Sequence, residues 1–375
     1  MSKLNNPEYD LLIVGAGLFG ASVARLCTDR GLKCLVIEKR CNIGGNCRDE
    51  LIEDINVHLF GPHIFHTSNR DVWDFACRFS DFNHFRYCPL ANFEGQLYNL
   101  PFNMHTFYQL YGMSSPIEVA EFLESIHYNG RPSNLEEKAV SLVGDKIYNI
   151  LIKGYTEKQW GKDCRELSPD IITRLPVRLT FDNNYFDDIY QGIPIGGYSK
   201  WINNILNGIQ VMTDTDFLTA REFWKSKAEI IIYTGSIDEF FGYEFGCLEY
   251  RSLYWKHILY EHPNRQGVAV INYTSKNIPY TRSIEHKHFE FGNQPVTILS
   301  KEYPQHWQIG EERFYPVNNP NNDKLYSKYT DLASGKMPYV IFGGRLGTYS
   351  YFDMDDTIAE AISTADRICH KLINR

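Results

Sequence analysis

Two short stretches near the N-terminus carry the first chemistry legible in the chain. Gly15-Ala16-Gly17-Leu18-Phe19-Gly20 spells G-x-G-x-x-G between an apolar run, Tyr9 to Val14, and a helical stretch reaching about Arg30. In such a turn the first glycine makes the bend, the second lets backbone approach a pyrophosphate, and the third lets helix and strand pack. The free N–H groups at the helix start then face the anion. Glu38 ends the next apolar run, Cys34 to Ile37. A carboxylate there accepts both hydroxyls of a ribose and repels a 2′-phosphate. NADP is thereby disfavoured, while FAD and NAD stay open.

Ile43-Gly44-Gly45-Asn46 resembles the glycine doublet that follows the ribose-binding acid in many FAD proteins. A plain Gly-Gly turn would look the same, but strand, fingerprint, acid and doublet in that order favour FAD. Near the other end, Gly344-Arg345 and Asp353-Met354-Asp355-Asp356 precede a C-terminal helix, whose start suits either simple capping or the charge of a reduced flavin. Arg174 in TRLPVR and Arg282 in PYTRSIEHK lie among apolar and proline residues. Each suits pairing with an acid or gripping a diphosphate, with charge-assisted bonds worth about 1.5–3 kcal/mol each. His63 and His66 in GPHIFH invite a metal reading, yet a third ligand and the HExxH spacing are lacking. A structural or cofactor-bonding histidine is the expectation, with no metal.

These groups need elements to hold them. Tyr9–Val14 and Cys34–Ile37 read as buried parallel strands, which with the intervening helix open a doubly wound sheet. Glu229 to Tyr233 and Tyr339 to Phe342 return to it, followed by a terminal helix marked by Ile358, Ile362, Ala365, Ile368 and Leu372. In between, Ser115-Pro116-Ile117-Glu118 forms a capping box, and Ser133 with Glu136 repeats it. A helix closes at Gly144, and another runs from Asp145 to Lys153 and ends at Gly154. Stretches 164–190 and 243–340 alternate β-branched and aromatic segments with turn residues, which predicts an antiparallel sheet. The expected organisation is a discontinuous FAD-binding α/β (Rossmann-like, doubly wound) domain over 1–78, 191–242 and 337–375. A helical domain over 103–163 and an antiparallel sheet substrate domain over 79–102, 164–190 and 243–336 are inserted in it.

Composition sets the outer bounds. The chain has 375 residues, enough for two or three domains. Its net charge of −8 argues against nucleic acid, which needs a basic face. Nine cysteines show no C-x-x-C pattern, as expected of reduced thiols. The N-terminus lacks a secretory pattern and no stretch suits a membrane span, so the expected location is the cytoplasm. Aromatic residues make up 14%; a packed interior or a pocket for flat ligands both account for them.

Taken together, GAGLFG, IGGN, GPHIFHT, LPFN, KGYTEKQWG, LPVR, DNNYF, GIPIGGY, LEYRSL, PYTR, EHKHF, KEYP, YPV and GRLGTYSYFDM resemble the bacterial UDP-galactopyranose mutase family almost end to end. The resemblance implies that Arg174, on a closing loop, and Arg282 hold a substrate diphosphate. His63 would lie against the flavin ring and join them as a catalytic group. Tyr155 would stack on uracil, with Thr156 and Trp160 completing the uridine side. Asn83, Tyr185, Phe186 and Asn272 would approach the nucleotide, phosphates or sugar, as would Tyr315, Tyr351 and Asp353. For FAD it implies contacts from Gly15, Gly17, Phe19, Gly20, Glu38 and Lys39. Gly45, Asn46, His63, Ile64, Arg345, Asp353 and Met354 would add to these.

The implied reaction converts UDP-galactopyranose to UDP-galactofuranose without net oxidation. Reduced flavin N5 attacks the anomeric carbon, and a flavin–sugar iminium carries the open ring. NAD(P)H or another cellular reductant, a homodimer and cell-surface polysaccharide synthesis are implied with it. Phe60, Ser236 and Ser350 depart from the family pattern, where Tyr, Pro and a basic residue are frequent. Two other readings stay open: a mutase for UDP-N-acetylgalactosamine or a dTDP-6-deoxyhexose, and a flavin oxidoreductase of related fold.

Overall fold

Burial on both faces explains the apolar runs that open and close the chain. In the computed structural model, which describes residues 7–127, 130–172 and 177–373, these runs form one parallel sheet. Its order is Val340–Phe342, Ala228–Tyr233, Tyr9–Val14, Cys34–Ile37, Gln210–Met212. Alternate residues point to opposite faces. Leu11, Ile13, Val36, Ile230 and Ile232 meet the helices Leu18–Thr28 and Met354–Ile373 through Val23, Ala24, Ile358, Ala361 and Ile368. Leu12, Leu35, Ile37 and Ile231 meet Phe217, Trp224 and Phe240 on the other side. This is the expected doubly wound α/β layer.

A seven-stranded sheet lies beyond it in the order Tyr315–Pro316, Tyr250–Tyr260, Thr297–His306, Arg282–Glu285, Val270–Tyr273, Leu90–Phe93, Gln96–Asn99. It is mixed rather than purely antiparallel, because Val270–Tyr273 pairs parallel to Leu90–Phe93. The described residues of 164–190 give it no strand. They form short turns at Cys164–Glu166 and Pro169–Ile172 and then enter a strand, Tyr190–Gly192, that pairs with Phe65–Thr67. The alternation of aromatic and turn residues there reflects loop packing.

A helical unit packs Phe107, Val119, Leu135, Ala139, Val143, Ile147 and Leu151 into its own core. Ser115 and Glu118 form the expected capping box before Pro116–Ile126. The second box is displaced by one residue: Asn134 caps Leu135–Ile147, and the Glu137 carboxylate reaches back to Ser133. Gly144, at φ 81° and ψ 163°, breaks the helix. Gly154 does not end one. It lies inside the helix Lys153–Trp160, where a Cβ would stand 2.4 Å from the Thr274 carbonyl oxygen. Among the described residues, no helix is long and apolar enough to cross a membrane.

Candidate active site

The glycine fingerprint folds into a cradle of bare backbone. Gly15 has φ 110°, and a Cβ on it would sit 2.0 Å from Thr234 Oγ1. A Cβ on Gly20 would sit 2.1 Å from the Gly15 carbonyl oxygen. Gly17 and Gly45 approach so closely that a Cβ on Gly45 would meet the Gly17 Cα at 3.0 Å. The Gly44 N–H donates to the Ala16 carbonyl at 2.9 Å. The Leu18–Thr28 helix begins at Gly17 with no side-chain cap, which leaves its first N–H groups for an anion. Glu38 is buried, and its two carboxylate oxygens accept from the Ala16 and Arg40 N–H groups at 2.8 and 3.0 Å. Each oxygen keeps a lone pair for a ribose hydroxyl. Phe19 closes the cradle floor, since a Cβ on Gly343 would lie 2.4 Å from its ring. Two facing glycine loops, an uncapped helix and a buried acid fit the diphosphate and ribose of a dinucleotide.

His63 stands beside this cradle on a buried polar seam. Its main-chain N–H donates to His58 Nδ1 at 3.2 Å, and its carbonyl accepts from the Tyr198 hydroxyl at 3.0 Å. His63 Nδ1 and His58 Nε2 are buried with no partner. Burial pushes both imidazoles down to about 3, and His58 and Arg345 add to the effect at His63. Both rings are neutral at pH 7, and their orphaned nitrogens suit the polar edge of a bound flavin. Arg345 donates to the carbonyls of Phe314 and Phe352 and lies 4.6 Å from the Tyr351 ring centre. Met354 opens the terminal helix and packs on the main core. The Asp353 carbonyl accepts the Thr357 N–H at 3.0 Å.

Arg282 gathers the second half of the site. Cross-strand register sets Asn272 opposite Arg282, Arg282 opposite Glu302, and Glu302 opposite Trp255, so one row crosses four strands on a common face. Glu302 is fully buried and holds Arg282 by two bonds, from Nε at 3.0 Å and Nη2 at 2.7 Å. Burial pulls the guanidinium pKa down, but the Glu302 carboxylate outweighs it and holds the value well above the ordinary one. Tyr87, Tyr155, Tyr185 and Tyr315 all lie within reach of this charge, and burial raises each phenol above its usual range. Tyr315 stacks on Tyr351 at 5.8 Å, so the series Arg282, Tyr315, Tyr351, Arg345 joins the two halves. Asn272 Oδ1 is buried without a partner in this pocket.

The other expected residues divide. Tyr185 and Phe186 pack on Tyr87 at 5.4 and 5.6 Å, and Phe186 also stacks on His66 at 3.6 Å. Tyr155, Thr156 and Trp160 share the Lys153–Trp160 helix. The Asn83 amide braces the Phe289 carbonyl and the N–H groups of Phe85 and Ile193. Asn46 bonds to Arg40 at 3.4 Å, Lys39 is exposed, and Ile64 is buried in the core. Arg174 lies outside the described residues. Sequence reasoning missed Glu302, Tyr87 and His58. Glu302 sits in the KEYP motif, but only the strand register reveals its partner. Among the described residues, no three of His, Cys, Asp or Glu gather as a metal site.

A glycine-built dinucleotide cradle beside an arginine set among phenols defines a dinucleotide-binding α/β fold with an added mixed sheet and helical unit. A family model described as UDP-galactopyranose mutase matches residues 150–351, and one described as an NAD(P)-binding Rossmann-like domain matches residues 13–79. The chain is 37% identical to a dTDP-fucopyranose mutase of Escherichia coli, covering 95% of this chain and 97% of that one. It is 36% identical to a probable UDP-galactopyranose mutase of Klebsiella pneumoniae, covering 99% and 97%. A crystal structure of reduced UDP-galactopyranose mutase has the same fold, with a TM-score of 0.74 at 17% identity over 99% of this chain and 95% of that one. The chain belongs to the UDP-galactopyranose mutase family. It is an isomerase of that family and its cofactor is FAD.

Proposed function

We propose that this enzyme interconverts UDP-galactopyranose and UDP-galactofuranose, on reduced FAD held in the glycine cradle. The observation that carries the reading is Arg282, fixed by Glu302 among four phenols and linked through Tyr315 and Tyr351 to Arg345. When bound and reduced, FAD supplies an electron-rich nitrogen, N5, for capture of the anomeric carbon.

The rest falls to the chain. Glu302 occupies Nε and one Nη2 hydrogen of Arg282, and the outer edge of the guanidinium, which the Tyr87 and Tyr315 hydroxyls also reach, is the part that meets a diphosphate. Charge on that diphosphate grows as the sugar–phosphate bond breaks, and a guanidinium held in place stabilises it without reorganising. Arg174 is the second such group in this proposal. The neutral phenols of Tyr155, Tyr185, Tyr315 and Tyr351 donate hydrogen bonds, and their rings exclude water that would intercept the opened sugar. Tyr155, Thr156 and Trp160 take the uridine. His63, neutral, meets the flavin edge, and Asn272 offers its unpartnered amide oxygen to a sugar hydroxyl. NAD(P)H as reductant, a homodimer and a cytoplasmic role in polysaccharide synthesis complete the proposal.

One observation supports a second substrate: identity to the dTDP-fucopyranose mutase, at 37%, is within one percentage point of that to the probable UDP-galactopyranose mutase, at 36%. The test incubates dithionite-reduced holoprotein with UDP-galactofuranose, UDP-N-acetylgalactosamine and dTDP-fucopyranose, and separates the products. Pyranose formed from UDP-galactofuranose with flavin unchanged supports the first reading. Turnover of the dTDP sugar alone replaces it with the second, and turnover of none overturns both.

A further inference from the structure

Lys158 does something unusual for a lysine. Its Nζ donates to four main-chain carbonyls, of Tyr273, Ser275, Ile278 and Tyr280, at 2.7, 2.9, 2.9 and 3.0 Å. All four lie in or beside the turn that joins the strands Val270–Tyr273 and Arg282–Glu285. An ammonium has three hydrogens, so four acceptors share them, much as carbonyl rings share a bare monovalent cation. The helix that bears Lys158 also bears Tyr155, Thr156 and Trp160, while the turn it grips leads into Arg282 and out of Asn272. Gly154 lets the helix approach that turn at backbone contact distance. A second buried cation fixes the other end: Arg251, 3% exposed, donates to the carbonyls of Gln159 at 2.8 Å and Lys158 at 3.3 Å. By contrast, the Lys276–Glu157 pair across the same junction leaves its lysine 76% exposed, and such pairs contribute little.

We infer that Lys158 is a positioning residue that takes the place of a monovalent cation among four carbonyls and so fixes the spacing between the base-side helix and the Asn272/Arg282 hairpin. The inference rests on the functional reading that helix and hairpin face one nucleotide sugar. Without the ammonium, four carbonyl oxygens converge on one point with nothing between them. The turn then opens, and Arg282 no longer meets a diphosphate whose base is held by the helix. The flavin cradle, built from other segments, is left intact.

The test uses flavin-loaded protein. Affinity for UDP and for dTDP is measured by titration in the wild type, Lys158→Ala, Lys158→Met and Lys276→Ala, alongside flavin content. Wild-type affinity tests the functional reading, and the ratio of variant to wild type tests the lysine. Both Lys158 variants are expected to bind the nucleotide at least about tenfold more weakly, with flavin content unchanged and Lys276→Ala within about twofold of wild type. Potassium or methylammonium chloride should restore much of the loss in Lys158→Ala, which has room for the cation. Neither salt should help Lys158→Met, whose chain fills the space, nor should lithium chloride at equal ionic strength rescue either. Nucleotide affinity within twofold of wild type in both Lys158 variants overturns the inference. So does a Lys158→Ala protein that stays flavin-free with and without potassium, since the lysine would then support the whole fold, and so does equal recovery in all salts.

Discussion

In the glycine cradle the decisive feature is the absence of side chains; around Arg282 it is side chains that come from far apart in sequence. Gly15, Gly20 and Gly45 each stand where a Cβ would overlap a neighbour, at 2.0, 2.1 and 3.0 Å. The cofactor half therefore depends on backbone shape over a short stretch of chain. The Arg282 half depends on register: Asn272, Arg282, Glu302 and Trp255 meet only because three strand pairings align them. The first kind of site fails all at once, whereas the second can lose a function while its frame stands.

The largest effect should come from the cofactor half. Gly20→Ala drives a methyl into the Gly15 carbonyl, a clash in rigid backbone worth roughly 4 kcal/mol or more. The expected outcome is protein purified colourless or insoluble. A yellow, soluble Gly20→Ala protein would break the contrast at its root. Next, Arg282→Ala should cost turnover about a hundred- to a thousandfold, or roughly 3–4 kcal/mol of barrier, while the flavin spectrum stays normal. Arg174→Ala is expected to behave alike. Loss of flavin in step with turnover would show that the two halves are not separable.

That contrast also explains what could be read from sequence. The fingerprint, Glu38 and the glycine doublet were legible because a local bend needs particular residues at fixed spacing. The Ser115 box was legible for the same reason, and the second box was missed by one residue because Ser133-Asn134 offers two caps to one helix. Gly154 was misread as a stop signal because a glycine required by a distant carbonyl looks the same in sequence as a C-cap. Glu302 and Tyr87 carry no local signature at all. The role of Glu302 arises from pairing between strands that sequence spacing does not disclose, and that of Tyr87 from a loop whose carbonyl accepts the Tyr185 N–H at 2.7 Å. Asn83, placed by resemblance among the substrate contacts, also braces three main-chain groups.

Acid should strike the two halves unequally. His58 and His63 have pKa values lowered to about 3 by burial, against about 6.5 in an unfolded chain. A histidine with a depressed folded value contributes stability that is complete above about pH 6.5 and is lost as pH falls toward 3, by up to ~1.4 kcal/mol per unit for each ring. The phenols around Arg282 are raised and the guanidinium is held high, so those groups do not titrate in this range. Buried His286, whose Nδ1 accepts the His58 N–H, is lowered by burial and adds to the seam's response. Thermal stability and flavin retention should both decline between about pH 6.5 and pH 5. In His58→Phe, which keeps a ring against Phe289, the slope should be shallower. A pH-independent midpoint across that window would remove the histidine seam from the account.

The smallest expected effect sharpens the comparison most. Tyr87 packs on Tyr185 and Phe186 and lies within reach of Arg282, so it has both a packing and a polar role. Tyr87→Phe keeps the ring and deletes one hydroxyl, at a cost of about 1 kcal/mol if the bond to the guanidinium matters. Turnover should fall roughly fivefold, with thermal stability and flavin binding close to wild type. If Tyr87 serves packing alone, turnover will not change. If the midpoint drops with turnover, the hydroxyl is holding the loop rather than the arginine. A selective loss of turnover would establish that even the periphery of this pocket acts through Arg282, as a site assembled by register should.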